Sequence, residues 1–214
     1  MRIFFVFYLL GIANLIALEN GTITGIVPLS ETQKLSVPVG KYRGKISGKV
    51  ATSPPVIAAV WLESKNISAP AESPEVTMAQ QNYQFSKYLV VVPKGGRVYF
   101  PNKDPDYHNI YSLSRAKRFD LGRYKADETP FPSVTFNKVG FVRLNCEIHD
   151  HMKANLVVVD SPYYGTTNPS GYFSLKNIPA GKYTLHAQVN RKMSWKMPVE
   201  VSAGKVLKIN FPKK

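Results

Sequence analysis

The chain has 214 residues, with 28 Lys and Arg against 14 Asp and Glu, a formal net charge of +14, and a single cysteine. Its 14 Gly, 16 Pro, 12 Tyr and 11 Phe, without a long run of 3.6-residue apolar periodicity, describe an all-β protein in which any helix is one turn near 113–117. One cysteine excludes a disulfide framework, and the absence of a P-loop, a dinucleotide fingerprint or a defensible Ser/His/Asp order argues against an enzyme.

In chain order, Arg2 precedes an apolar run from Ile3 to Ala13, with small residues at Ala13 and Ala17 where a signal peptide could be cut. The run is short of the ~20 apolar residues a spanning helix needs, and no cysteine follows it to carry a lipid. Residues 1–17 therefore read as a signal peptide and the protein as exported to the periplasm, without a transmembrane anchor. Next comes Gly21-Thr-Ile23-Thr-Gly25-Ile-Val27, within an N-terminal segment 18–40. It is similar to Gly44-Lys-Ile46-Ser-Gly48-Lys-Val50 further on, and is either an extra edge strand or a chance likeness.

Alternating apolar residues predict strands at 57–62, 88–92, 97–100, 133–136, 141–144, 155–159, 183–189 and 206–211. Turn residues separate them, as in Pro93-Lys-Gly-Gly96, Asn137-Lys-Val-Gly140 and Pro179-Ala-Gly181. Residues 64–74, with Pro70 and Pro74, read as a linker into a unit at 75–160, and Asp160-Ser-Pro162 as the way out. Residues 161–214 hold nine basic groups and one acidic group, so most of the excess charge lies beyond that unit. Such a field favours an acidic partner or an anionic envelope surface, or is a solvated surface without a specific partner; export disfavours nucleic acid.

Within the central unit, His108-Asn109 is followed by Cys146-Glu-Ile-His149-Asp-His151-Met152. A thiolate, two imidazoles and a thioether are the ligands of a type 1 copper site, where His₂Cys is roughly planar and Met is weak and axial. An unpaired thiol in an oxidising compartment is a liability unless something occupies it, and copper would. The candidate ligands are His108, Cys146, His149 and Met152. His149 is chosen over His151 because neighbouring residues on one short turn, His151 and Met152, do not easily both face one metal. Asp104, Asp106 and Asp120 read as turn chemistry around Pro105, and His186 has no assigned role.

These residues carry a resemblance. Residues 75–160 resemble a cupredoxin, a Greek-key β-sandwich whose first ligand comes early and whose other three share one loop. The spacing Cys146-x2-His149-x2-Met152 is similar to that of the amicyanins, and His108-Asn109 repeats the His-Asn pair of that family. The wider set Phe100-Pro-Asn-Lys-Asp104, His108-Asn-Ile, Phe119-Asp-Leu-Gly122 and Cys146 to Met152 resembles plastocyanin-like proteins of the methylamine utilization type. The resemblance implies one type 1 copper, with Asn109 hydrogen-bonding across to the ligand loop. It also implies an exit for electrons beside His149, where polar Asp150 and His151 would meet the partner.

Asn168-Pro-Ser-Gly171-Tyr-Phe173 and Ile178-Pro-Ala-Gly181-Lys-Tyr183 resemble the carboxypeptidase regulatory-like domains, prealbumin-like sandwiches whose first strand reads as 44–50 does. The expected architecture is thus a cupredoxin inserted in, or lying beside, a discontinuous sandwich of residues 41–63 and 161–214. Three functions follow. The first is a one-electron carrier between redox proteins such as a c-type cytochrome or dehydrogenase. The others are a copper delivery, storage or sensing protein, and an envelope adhesion or assembly module with a cupredoxin scaffold.

Overall fold

The computed structural model describes residues 19–29, 55–126 and 128–213. The expected signal segment 1–17 and the 44–50 repeat lie outside the described residues. Among the described residues there is no helix, and the strands run in chain order as β1 (Gly21–Ile26), β2 (Ala59–Glu63), β3 (Val76–Thr77), β4 (Gln80–Gln81), β5 (Gln84–Phe85) and β6 (Leu89–Pro93). They continue as β7 (Gly96–Tyr99), β8 (His108–Ser114), β9 (Lys117–Tyr124), β10 (Ser133–Phe136), β11 (Gly140–Asn145) and β12 (Lys153–Val159). The last are β13 (Tyr164–Thr166), β14 (Tyr172–Ile178), β15 (Gly181–Gln188), β16 (Ser194–Val201) and β17 (Val206–Asn210).

Strands β3 to β12 build the first sandwich. A five-stranded sheet, β6-β12-β11-β8-β9, faces a three-stranded one, β10-β7-β3. The chain crosses between sheets so that β6 lies parallel to β12, while β11 meets β8 antiparallel, a Greek-key path. Alternation sets the core: Val134 and Phe136 of β10 and Val98 of β7 point inward, joining Phe100, Ile110, Leu144 and Leu156. The expected helical turn near 113–117 is instead a hairpin tip, with Leu113 opposite Arg118 and Ser114 opposite Lys117. Leu113 is 75% exposed, so no apolar face is available there to hold a helix against the core.

The second sandwich packs a three-stranded sheet, β14-β1-β17, on a four-stranded one, β13-β2-β15-β16. Its core holds Ile23, Leu62, Phe173, Leu175, Ile178 and Leu185. This corrects the expectation of an edge strand at residues 21–27. Strand β1 is the middle strand of its sheet, antiparallel to β14 and parallel to β17, so a boundary at residue 41 severs the sandwich from its central strand. Gly25 shows why the glycine is there: a Cβ at this position would sit on the carbonyl oxygen of Ile209, so only hydrogen fits between β1 and β17.

The two sandwiches meet along β6 and β12, which are buried on both faces. That explains why Leu89-Val-Val-Val92 and Leu156-Val-Val-Val159 read as unbroken apolar runs. One side of each strand faces the first core; the other, with Leu89, Val91, Val157 and Val159, packs on Ala59 and against Trp61 and Tyr164. The first sandwich is an insertion between β2 and β13, which pair with Trp61 opposite Tyr164. The incoming linker touches the outgoing one, the Ala69 N–H donating to Asp160 Oδ1 at 2.7 Å.

Filling the gap at Gly25 tests the central placement of β1. Gly25→Ala should lower stability by about 1–3 kcal/mol through overpacking, seen as a lower urea midpoint. An unchanged midpoint would mean that β1 does not lie against β17.

Candidate metal centre

Two pieces of chain converge at one end of the first sandwich. The first is the start of β8. Asn102 folds the preceding turn, its Nδ2 donating to the carbonyls of Asp106 and Tyr124 at 2.8 and 3.2 Å while its Oδ1 accepts the Asp104 N–H at 2.9 Å. This sets His108, fully buried, at the head of the strand. The second piece is the connection from β11 to β12. Asn145 pairs with Lys153, and the loop between them closes on itself: the Cys146 N–H donates to the Met152 carbonyl at 3.2 Å and the Met152 N–H to the His149 carbonyl at 2.9 Å. Cys146 and Met152 are turned into the core, 3% and 1% exposed, while His149 is half-buried.

His108, Cys146 and His149 offer donor atoms that all lie within 4.8 Å of one another. Cys146 Sγ is 3.9 Å from His108 Nδ1 and 3.9 Å from His149 Nδ1, and the two nitrogens are 3.1 Å apart. The centre of that triangle is about 2.1 Å from each corner, against bond lengths of ~2.0–2.1 Å for a first-row metal to imidazole nitrogen and ~2.3 Å to thiolate. The three donors are therefore spaced as they would need to be to hold one such ion. Met152 belongs to the same buried cluster as Cys146.

The electrostatics prepare the same donors. Burial pushes the Cys146 thiol up, but the hydrogen bond with His108 and the backbone N–H groups of Asn109, His149 and Ile148 bring it below its ordinary value. Burial pushes His108 down, yet the Cys146 sulfur and then the Asp104 carboxylate hold it above the usual imidazole range. His149 is lowered by burial and by the nearby His108 and His151, which favours the neutral ring that binds metal. Burial and the Cys146 charge push the Tyr124 phenol up, and its hydroxyl donates instead to Gln80 Oε1 at 2.6 Å.

Asn109 reaches the ligand loop. Its Oδ1 accepts the Glu147 N–H at 2.7 Å and its Nδ2 donates to Asp120 Oδ1 at 3.1 Å. Asp150 is exposed, but His151 is not a free surface group: its Nε2 lies 2.9 Å from the Tyr83 carbonyl oxygen and its ring is edge-on to His149. His186 lies away in β15, stacked on Trp61.

Two residues of this site carry no mark in the ligand motif. Tyr83 presents its ring edge-on to His149 and His108, with centroids 5.2 and 6.0 Å away. Asp104 is 4% exposed, and its Oδ2 lies 2.8 Å from His108 Nε2. Turn chemistry describes Asp104 only in part; its spacing of four from His108 was the available signal. Beside His149, a surface hollow is lined by Asp106, Tyr107, Arg123 and Ile148.

No family model matches the chain, and no curated protein does. Among solved structures, the chain is similar to a Cu-containing nitrite reductase (NirK) from Thermus scotoductus SA-01, at 23% identity and TM-score 0.38, over 41% of this chain and 23% of that one. It is also similar to an amicyanin mutant in its reduced Cu(I) form at pH 4, at 17% identity and TM-score 0.37, over 46% of this chain and 97% of that one. A second amicyanin mutant, also Cu(I), gives 18% identity, TM-score 0.36 and the same coverage. The chain thus spans under a quarter of the reductase, and the chemistry of the site follows from its own atoms.

In the metal-free protein, the ultraviolet absorbance of the Cys146 thiolate should titrate below the ordinary cysteine range. His108→Ala removes the principal contact that lowers it and should move the titration upward; a titration indifferent to that substitution would refute this account of the thiolate.

Proposed function

We propose that this protein is an exported one-electron carrier with a single type 1 copper that His108, Cys146, His149 and Met152 would hold. The carrying observation is the tight triangle of one sulfur and two nitrogens, the donor set of blue copper centres. Bound there, copper would take up one electron and give it up again.

The protein's own contribution is to hold still and to keep water out. Cys146, Met152 and His108 are buried in a close-packed core, so the donor atoms have little room to rearrange between two oxidation states. The Glu147 N–H to Asn109 bond ties the ligand loop to β8, so the two halves of the site cannot drift apart. A soft thiolate and thioether suit the reduced ion, while the imidazoles suit both states.

Electrons would cross at the partly exposed side of His149, beside Tyr107 and Ile148, which are 48% and 38% exposed. A small apolar rim of this kind fits brief docking with another redox protein, a c-type cytochrome or a dehydrogenase. Charges stand around it in both signs, with Arg123 Nε 2.6 Å from Glu147 Oε1. The basic second sandwich would supply longer-range attraction to an acidic partner, weakened by salt. The plastocyanin-like and regulatory-like resemblances of the two sandwiches agree with this arrangement in an exported protein. A donor set of two imidazoles, a thiolate and a thioether would suit electron transfer better than substrate chemistry.

One equivalent of Cu(II) should give the mature protein an intense thiolate-to-copper absorption band and a narrow-hyperfine EPR signal, both lost in Cys146→Ser and reversible on reduction. His149→Ala should abolish the band and His151→Ala should preserve it. Copper without a Cys146-dependent band would remove the carrier, and rapid loss of Cu(I) to a competing chelator would favour copper delivery.

A further inference from the structure

Asp104 is almost completely buried and has three partners at once. Its Oδ1 accepts the Asn82 N–H at 2.6 Å, and its Oδ2 accepts the Tyr83 N–H at 2.9 Å and faces His108 Nε2 at 2.8 Å. Asn82 and Tyr83 form the two-residue tip between β4 and β5, with φ of 54° and 57°, the left-handed region that a tyrosine rarely adopts. A carboxylate accepting both amide hydrogens is what holds that tip. The Tyr83 ring then covers His149 and His108, and its carbonyl faces His151.

We infer that Asp104 is the positioning residue of the centre, a buried anion that fixes His108 with its Nδ1 toward the metal, latches the Asn82–Tyr83 tip over the site, and lowers the reduction potential. This deepens the copper-carrier reading and rests on it. With Asp104 accepting a hydrogen from Nε2, the neutral His108 ring must leave Nδ1 bare, and Nδ1 is the atom that faces Cys146 and His149. The effect on potential follows from charge: a carboxylate held in a dry site favours the more positive ion, Cu(II), over Cu(I).

The latch also joins elements far apart in sequence. Asp104, Tyr83 and His151 draw together at this corner the 80–85 hairpin, the 102–106 turn, the head of β8 and the 146–152 loop. Asp106 is the built-in control. It is also acidic and close, but it reaches the site through the Tyr83 hydroxyl, which donates to its Oδ2 at 2.6 Å, and it is exposed.

The test compares the copper-loaded mature protein with Asp104→Asn and Asp106→Asn. The Asp104→Asn variant keeps the size and one oxygen acceptor but loses the charge. Its ratio of Cu(II) to Cu(I) affinity should fall by roughly tenfold or more, a rise in potential of about 59 mV per tenfold for one electron. The Asp106→Asn potential should move much less. In metal-free protein, an Nε2–H resonance of His108 protected from exchange should be present in the parent and lost in Asp104→Ala, a readout that needs no copper. Equal potentials in the parent and Asp104→Asn, both carrying the Cys146-dependent band, would overturn this inference and leave the carrier standing. A parent without that band would overturn the carrier and the effect on potential with it, and an unprotected Nε2–H in the parent would overturn the tautomer assignment.

Discussion

A thiolate in a closed core is tolerable only when charge and hydrogen bonds surround it, and the organisation of the first sandwich follows from meeting that condition at Cys146. The sulfur has two imidazole nitrogens at 3.9 Å and backbone N–H groups turned toward it. For those groups to converge, β8 must begin at His108, β11 must end one residue before Cys146, and the intervening loop must be pinned at both ends. Each requirement has its own device: the Asn102 turn for β8, the pairing of Asn145 with Lys153 for the loop, and Asn109 as the strut between them. Rigidity at the donor atoms is thus set by the hydrogen bonds of residues beside them, two of the three devices being asparagine side chains.

The surrounding polar groups are as informative as the donors. Gln80, Asn102, Asp104 and Asn109 are all buried, an expensive collection in a small sandwich unless each is satisfied. Here each is, and the network runs from Tyr124 through Gln80 to the Asn109 carbonyl, with Gln80 Nε2 3.4 Å from that oxygen. A core made only of Val and Phe would pack as well, but it would not dictate which nitrogen of His108 faces inward. The polar network gives the site its orientation, and the apolar core gives it stiffness.

How much of this was legible in the chain depends on whether a feature is local. The ligand spacing after Cys146 is local, and the loop that carries it is short, so the residues that converge could be read directly. Strands with clean alternation, such as 133–136, could be read for the same reason. What escaped depends on distant partners. The role of β1 is decided by β14 and β17, which lie near the opposite end of the chain, so its glycines left an edge strand and coincidence both open. Asp104 escaped because a Pro-flanked aspartate satisfies turn rules on its own, and its contact with residues 82 and 83 exists only in three dimensions. The contact of His151 Nε2 with the Tyr83 carbonyl escaped as well, because that carbonyl comes from another hairpin.

The parallel pairing of β1 with β17 shapes how the chain matures. Thr22 lies opposite Val206 and Ile26 opposite Asn210, so the second sandwich joins nearly the two extremes of the described chain. In a chain emerging from its N-terminus every other strand is delivered before that pair can form, and contacts of such long sequence separation form slowly. Strands β3 to β12 are contiguous, and their longest-range pairing, β6 with β12, spans a shorter stretch of chain. A first sandwich that closed before the second would leave its β6–β12 wall bare until the second sandwich packed onto it. In that order Leu89, Val91, Val157 and Val159 would face water for an interval, and aggregation would threaten that interval more than the finished protein.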